Sequence, residues 1–128
     1  MNSKQFLLVG GIILVLVGVL GFVGVLGPTT DSSIFGSAWW FDSAENWAHL
    51  VLGIVALVLA YATGPSLQRP VVMLLGIVSV LVGLYSFFGY SMLLGANLEN
   101  PLDSLLHLAV GIWALLASWK RPAMAGGM

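Results

Sequence analysis

Polar and apolar positions alternate along this chain in long blocks rather than residue by residue. Residues 6–27 carry no charge, and a helix rising about 1.5 Å per residue needs a run of this length to cross a hydrocarbon core of about 30 Å. A polar and aromatic stretch at 28–41 follows, then a second apolar run at about 44–61 and a Thr63-Gly64-Pro65-Ser66 break. A third run covers about 71–88, a mixed stretch 89–100, and a fourth run about 101–119. The pattern predicts an all-α integral membrane four-helix bundle in which residues 1–128 form a single transmembrane domain. The first run follows Lys4 as a secretory signal would. A signal core, however, is about 7–15 residues long and ends at a small-x-small site. This run is longer and ends at Gly27-Pro28, so it reads as a retained first span stopped by Pro28.

The breaks carry their own signals. Asp42 followed by Glu45 has the spacing of a capping box at the start of the second span. Thr63-Gly64-Pro65-Ser66 predicts a tight turn, with the third span starting after Arg69-Pro70, and Asn100-Pro101 predicts a cap followed by the first helical residue of the fourth. Trp39, Trp40 and Phe41 are the kind of residue that settles at the headgroup level.

Composition sharpens the class. The chain is 59% hydrophobic and 7% charged, against about 25% charged in soluble domains. A net charge of −1 without a basic run gives no nucleic-acid surface, and the lack of cysteine excludes disulfides, thiolate zinc sites and iron–sulfur clusters. Lys4, Arg69, Lys120 and Arg121 are all the Lys and Arg, and four spans put them on one side. The positive-inside bias makes that side the cytoplasm, with both termini there. Asp31, Asp42, Glu45, Glu99 and Asp103 then all lie on the opposite side.

The second and fourth spans repeat one pattern at an offset of 58. Glu45, His49, Gly53 and Ala56 recur as Asp103, His107, Gly111 and Ala114, four positions that share a helix face. The first and third spans match at an offset of 65, Gly11 with Gly76, Val15 with Val80, Gly18 with Gly83 and Phe22 with Phe87 among others. The expected unit is a transmembrane hairpin present in two tandem copies, about 6–61 and 71–119. Because each copy has an even number of spans, the copies form a parallel internal repeat about an axis along the membrane normal. Gly11, Gly18, Gly76 and Gly83 are suited to close helix packing, within the bundle or against a homo-oligomer or larger complex.

His49 and His107 are the only histidines, and both fall at this point of the repeat. The plain reading bonds each imidazole to the acid one turn earlier, His49 to Glu45 and His107 to Asp103, while Gly53 and Gly111 admit a neighbouring helix. The alternative turns the histidines toward each other as axial ligands of a haem or chlorin. Gly53 and Gly111 would then make room for the macrocycle, and Glu45 and Asp103 would fix the imidazole tautomers. Two histidines do not complete a zinc site unless Glu45 or Asp103 joins, and no metal is assigned. No nucleophile elbow, phosphate loop or HExxH pattern supports an enzyme, and the span centres offer little beyond Ser79 and Ser86 to a transported solute or ion.

The element Asn46-Trp47-Ala48-His49-Leu50 with Gly53, repeated with Ser104 in place of the asparagine, resembles a family of small bacterial four-span membrane proteins of unknown function. The resemblance implies a bacterial inner-membrane protein and supplies no activity. With almost no mass outside the bilayer, the expected role is a structural or accessory subunit that packs against a membrane-protein partner or a second copy. The Ser104 departure weakens any role for the amide.

Overall fold

Each apolar run is a helix in the computed structural model, which describes residues 2–119. α1 spans Ser3–Phe22, α2 Ser43–Ala62, α3 Pro65–Phe87 and α4 Leu102–Trp119, and all four are long and apolar enough to cross a membrane. Lys120 and Arg121, which support the orientation argument, lie outside the described residues.

Side-chain caps set two of the helix starts. The Asn2 side chain accepts from the Gln5 N–H at 3.0 Å while Gln5 Oε1 accepts from the Asn2 N–H at 3.0 Å, closing a capping box on α1. Asp42 and Glu45 do the same for α2, at 2.9 and 3.4 Å. Other boundaries differ from those expected. α1 stops at Phe22, short of Gly27, so Pro28 is not its terminator. Gly24 turns the chain at a φ of +87°, and Val25 and Leu26, although apolar, leave the helix. Their carbonyls accept from the Ile34 and Phe41 N–H groups at 2.8 and 2.7 Å, which folds the 23–42 loop back on itself.

α3 begins at Pro65 rather than near Val71, and the turn between α2 and α3 shrinks to Thr63-Gly64. Gly64 is the extended N-cap and Pro65 follows at the first helical position, where a missing N–H leaves no helical bond unmade. Pro70 lies inside the helix, and the carbonyl it cannot serve belongs to the exposed Ser66. Gln68 closes the same turn, its Nε2 donating to the carbonyls of Leu59, Ala60 and Thr63 at 3.3, 3.3 and 2.9 Å.

α1 packs along α2, and α3 along α4, through glycines. A Cβ on Gly53 would lie 2.8 Å from both the Gly11 carbonyl oxygen and the Val15 nitrogen, and one on Gly111 would lie 2.9 Å from the Gly76 carbonyl oxygen and 2.8 Å from the Val80 nitrogen. Small residues at these crossings let the backbones touch. Hydrogen bonds between membrane helices average only about 0.6 kcal/mol, so the 2.7 Å bond from Ser79 to the His107 carbonyl supplements this packing and does not drive it. The core shared by all four helices, including Phe6, Leu7, Ala56, Val72 and Ala114, sits toward the Thr63-Gly64 turn. There the Phe6 and Trp113 rings meet edge to face at 4.5 Å.

The loop between α3 and α4 contains a two-stranded hairpin, β1 Met92–Leu93 against β2 Ala96–Asn97. Leu94 and Gly95 form its turn at positive φ, 50° and 85°. This hairpin and the 23–42 loop lie together at one end of the helices, the loop end.

Candidate functional site: a buried carboxylate cluster

The loop end gathers acids from both halves of the chain. Glu45 comes from the first turn of α2, Asp103 from the first turn of α4, and Glu99 from the segment between β2 and α4. They are only 4%, 1% and 8% exposed, and carboxylate oxygens, one from each, lie within 4.8 Å of one another. Helix starts suit acids, because the first N–H groups and the helix dipole both favour negative charge. Three acids at one buried point is more than a cap requires.

Each carboxylate is held by N–H donors. Asp103 Oδ1 accepts from the Trp39 indole at 3.0 Å and Oδ2 from the Glu99 backbone at 2.9 Å. Glu99 Oε1 accepts from the Asn97 side chain at 3.1 Å, and Glu45 Oε1 from the Asp42 backbone at 3.4 Å. The remaining oxygens, Glu45 Oε2 and Glu99 Oε2, are buried and have no hydrogen-bond donor. Asp42 ties the halves from its other side, taking the Glu45 N–H on Oδ1 and the Asn97 N–H on Oδ2 at 2.7 Å. Trp39 and Asp42 thus reach from the first loop into the second half. Glu99 sits outside the helices, and its burial, reinforced by the Asp103 carboxylate, pushes its carboxyl up from 4.5 to about 9.

The two histidines do not pair with these acids as expected. His107 Nδ1 donates to the backbone carbonyl of Asp103 at 2.8 Å, because the Asp103 carboxylate turns to Trp39 and the Glu99 N–H. His49 Nδ1 is buried without a hydrogen-bond partner, since Glu45 turns to its capping role, and the ring lies edge-on to Phe41 at 5.2 Å. Gly53 and Gly111 face α1 and α3 at backbone contact, so the space beside them is filled by helix and cannot take a flat macrocycle. The structure therefore brings Glu45 and Asp103 of the repeat motif together, adds Glu99, and turns the glycines away from the cluster.

No protein-family model, curated protein or solved structure matches this chain. Glu99 is the site residue that sequence reasoning passed over, since no periodicity marks a loop residue. The available signal was that all five acids fall on one side of the four spans.

Asn46 and Ser104, which share a register position in the motif, are both fully buried. Asn46 lies over Gly21 and donates to the Phe41 carbonyl at 3.3 Å, while Ser104 meets the Ser86 hydroxyl at 2.6 Å and donates to Asn100 at 3.1 Å. Gly21 and Ser86 are themselves 65 apart, the offset of the first and third spans.

Proposed function

We propose that this protein is a small multi-pass protein of the bacterial cytoplasmic membrane that acts as a structural or accessory subunit, with no enzymatic activity of its own. One observation carries this reading: buried polar side chains stop at the two ends of the helices. Ser3, Gln68 and Ser118 lie near the turn end, and Glu45, Asn46, Ser86, Glu99, Asp103 and Ser104 near the loop end. Among the described residues the fully buried side chains between them are apolar; of the half-buried polar ones, the Ser79 hydroxyl is on the His107 carbonyl, His107 Nδ1 is on the Asp103 carbonyl, and His49 lies only one turn inside Glu45. A solute or ion would find no polar track through such a bundle. What remains for interaction is the outer face, where Leu16, Val58, Leu74 and Leu116 are all more than half exposed. That surface suits lipid and the flank of a membrane-protein partner or a second copy.

Two finer readings belong to the same proposal. The chain is two tandem copies of one hairpin, supported by the matching Gly11–Gly53 and Gly76–Gly111 contacts and by the offsets of 65 and 58. Both termini face the cytoplasm, supported by Lys4 and Arg69 at the turn end and the acids at the loop end. The cysteine-free chain allows a direct check of sidedness: Ser37→Cys should react with an impermeant maleimide added to intact cells, and Ser66→Cys only after permeabilisation. The reverse pattern overturns the orientation.

The functional test is purification from native membranes in mild detergent. A particle larger than one chain in its micelle, holding a stoichiometric membrane protein or a second copy, is expected. A single colourless chain without a partner overturns the reading. A Soret band lost in His49→Ala and His107→Ala replaces it with a haem or chlorin subunit.

A further inference from the structure

We propose that Glu45, Glu99 and Asp103 bind one hard divalent cation of calcium size, which joins α2 to the β2–α4 segment and the start of α4. The carboxylate cluster alone does not establish this. The second observation is the pair of orphaned oxygens: Glu45 Oε2 and Glu99 Oε2 belong to side chains more than nine-tenths buried, and neither receives a hydrogen bond. Glu45 and Glu99 each have one oxygen fixed by an N–H donor and one left over, while both Asp103 oxygens accept an N–H and face the cation with their second lone pairs. Buried oxygens without donors are costly, and buried like charges more so, unless something positive meets them. No Lys or Arg does this among the described residues, since Lys4 lies in the first turn of α1 and Arg69 donates to the Ser118 carbonyl, both at the turn end.

The spacing admits a calcium ion, and the donor set favours one. Two oxygens bound to one calcium ion at about 2.3–2.6 Å can be at most about 4.6–5.2 Å apart. One oxygen from each of the three residues already satisfies this, within 4.8 Å. Magnesium gives up its water reluctantly and usually keeps several waters, so a cluster that offers three protein carboxylates suits calcium better. An all-oxygen set also disfavours zinc and copper, which seek imidazole or thiolate. The other ionisable groups nearby are occupied or set back: both Asp42 oxygens accept backbone N–H bonds, His107 Nδ1 is on the Asp103 carbonyl, and His49 lies one turn further along α2 from Glu45. An open cleft on the loop surface is lined by Thr29, Thr30, Asp42 and Gly95, and Asp42 is the residue that caps Glu45.

The test uses the full chain in detergent, stripped with EDTA and titrated with calcium chloride or magnesium chloride by calorimetry. One calcium per chain is expected, with magnesium about tenfold weaker or more. Thermal unfolding should shift upward with calcium. Trp39, bonded to Asp103, should report binding as an emission change that Trp39→Phe abolishes. Glu99→Gln and Glu45→Gln should each weaken calcium binding about tenfold or more, while Asp31→Asn, an exposed acid, leaves it unchanged. Absence of saturable calcium binding to the wild-type chain overturns the proposal, as does binding that survives Glu99→Gln, or magnesium binding more tightly than calcium. Stability that rises in both glutamine variants and ignores calcium also overturns it and leaves the acids sharing protons. Glu99→Gln lies outside the helices, so it carries the test should Glu45→Gln not fold.

Discussion

Gly21 and Asn46 fit each other as a hand fits a gap: a Cβ on Gly21 would fall on the Asn46 amide, which is fully buried there. At the positions 65 and 58 further along, Ser86 and Ser104 divide the same space between two small hydroxyls that bond each other. The serine that departs from the repeat motif is therefore matched by a second change across the interface. Gly21→Ser alone should overpack this contact and destabilise the protein by about 1–3 kcal/mol. Gly21→Ser combined with Asn46→Ser should recover most of that loss, because the first half then carries the pair the second half uses. Reversible unfolding in mixed micelles measures both, and a double variant no better than the single one would disconnect the two positions. At this scale the sequence was partly legible. Glu45, Asp103 and the histidines stood out by spacing, whereas the bonds made by Trp39 and Asp42 join residues 64 and 55 apart, which no local pattern encodes.

At the level of elements, the glycine seams give the sharpest contrast. On Gly53 a Cβ would meet backbone atoms of α1 at 2.8 Å, and backbone cannot step aside as a flexible side chain can. On Gly10 it would meet only the Phe6 ring at 3.8 Å, an ordinary contact. Gly53→Ala should therefore separate α1 from α2 and cost about 1–3 kcal/mol, while Gly10→Ala should be neutral or slightly stabilising through helix propensity. Thermal melts followed by circular dichroism distinguish them, and equal effects would show that the seam tolerates a methyl group. The helices themselves were legible because long apolar runs have few other fates. Their ends were less so, for physical reasons visible at two points. Val25 and Leu26 are apolar enough to belong to a span, yet a positive-φ glycine before them sends their backbone into the loop. Pro70 looked like a helix start, but Pro65 behind Gly64 supplies a better one, and a second proline is tolerated where the unpaired carbonyl is exposed.

Across the whole molecule, each glycine-packed pair of helices is tight within itself, and the pairs are joined by the apolar core near the turn and by the acid network at the loop end. The loop-end joint should make stability depend on pH. Glu99 keeps its proton in the fold up to about 9, whereas in the unfolded chain it releases it near 4.5. Between those values the folded state binds more protons than the unfolded state, so stability must fall as pH rises through the window. In EDTA the melting temperature should therefore decline steadily from pH 5 to pH 9, and Glu99→Gln should flatten the curve. Calcium reverses the balance, because its ligands must be deprotonated and its affinity grows as protons leave. With calcium present, the gain in melting temperature over EDTA should be smallest at pH 5 and largest near pH 9. An EDTA curve that rises with pH would mean that Glu99 is ionised in the fold. A gain that does not grow with pH would mean that calcium acts somewhere other than these carboxylates.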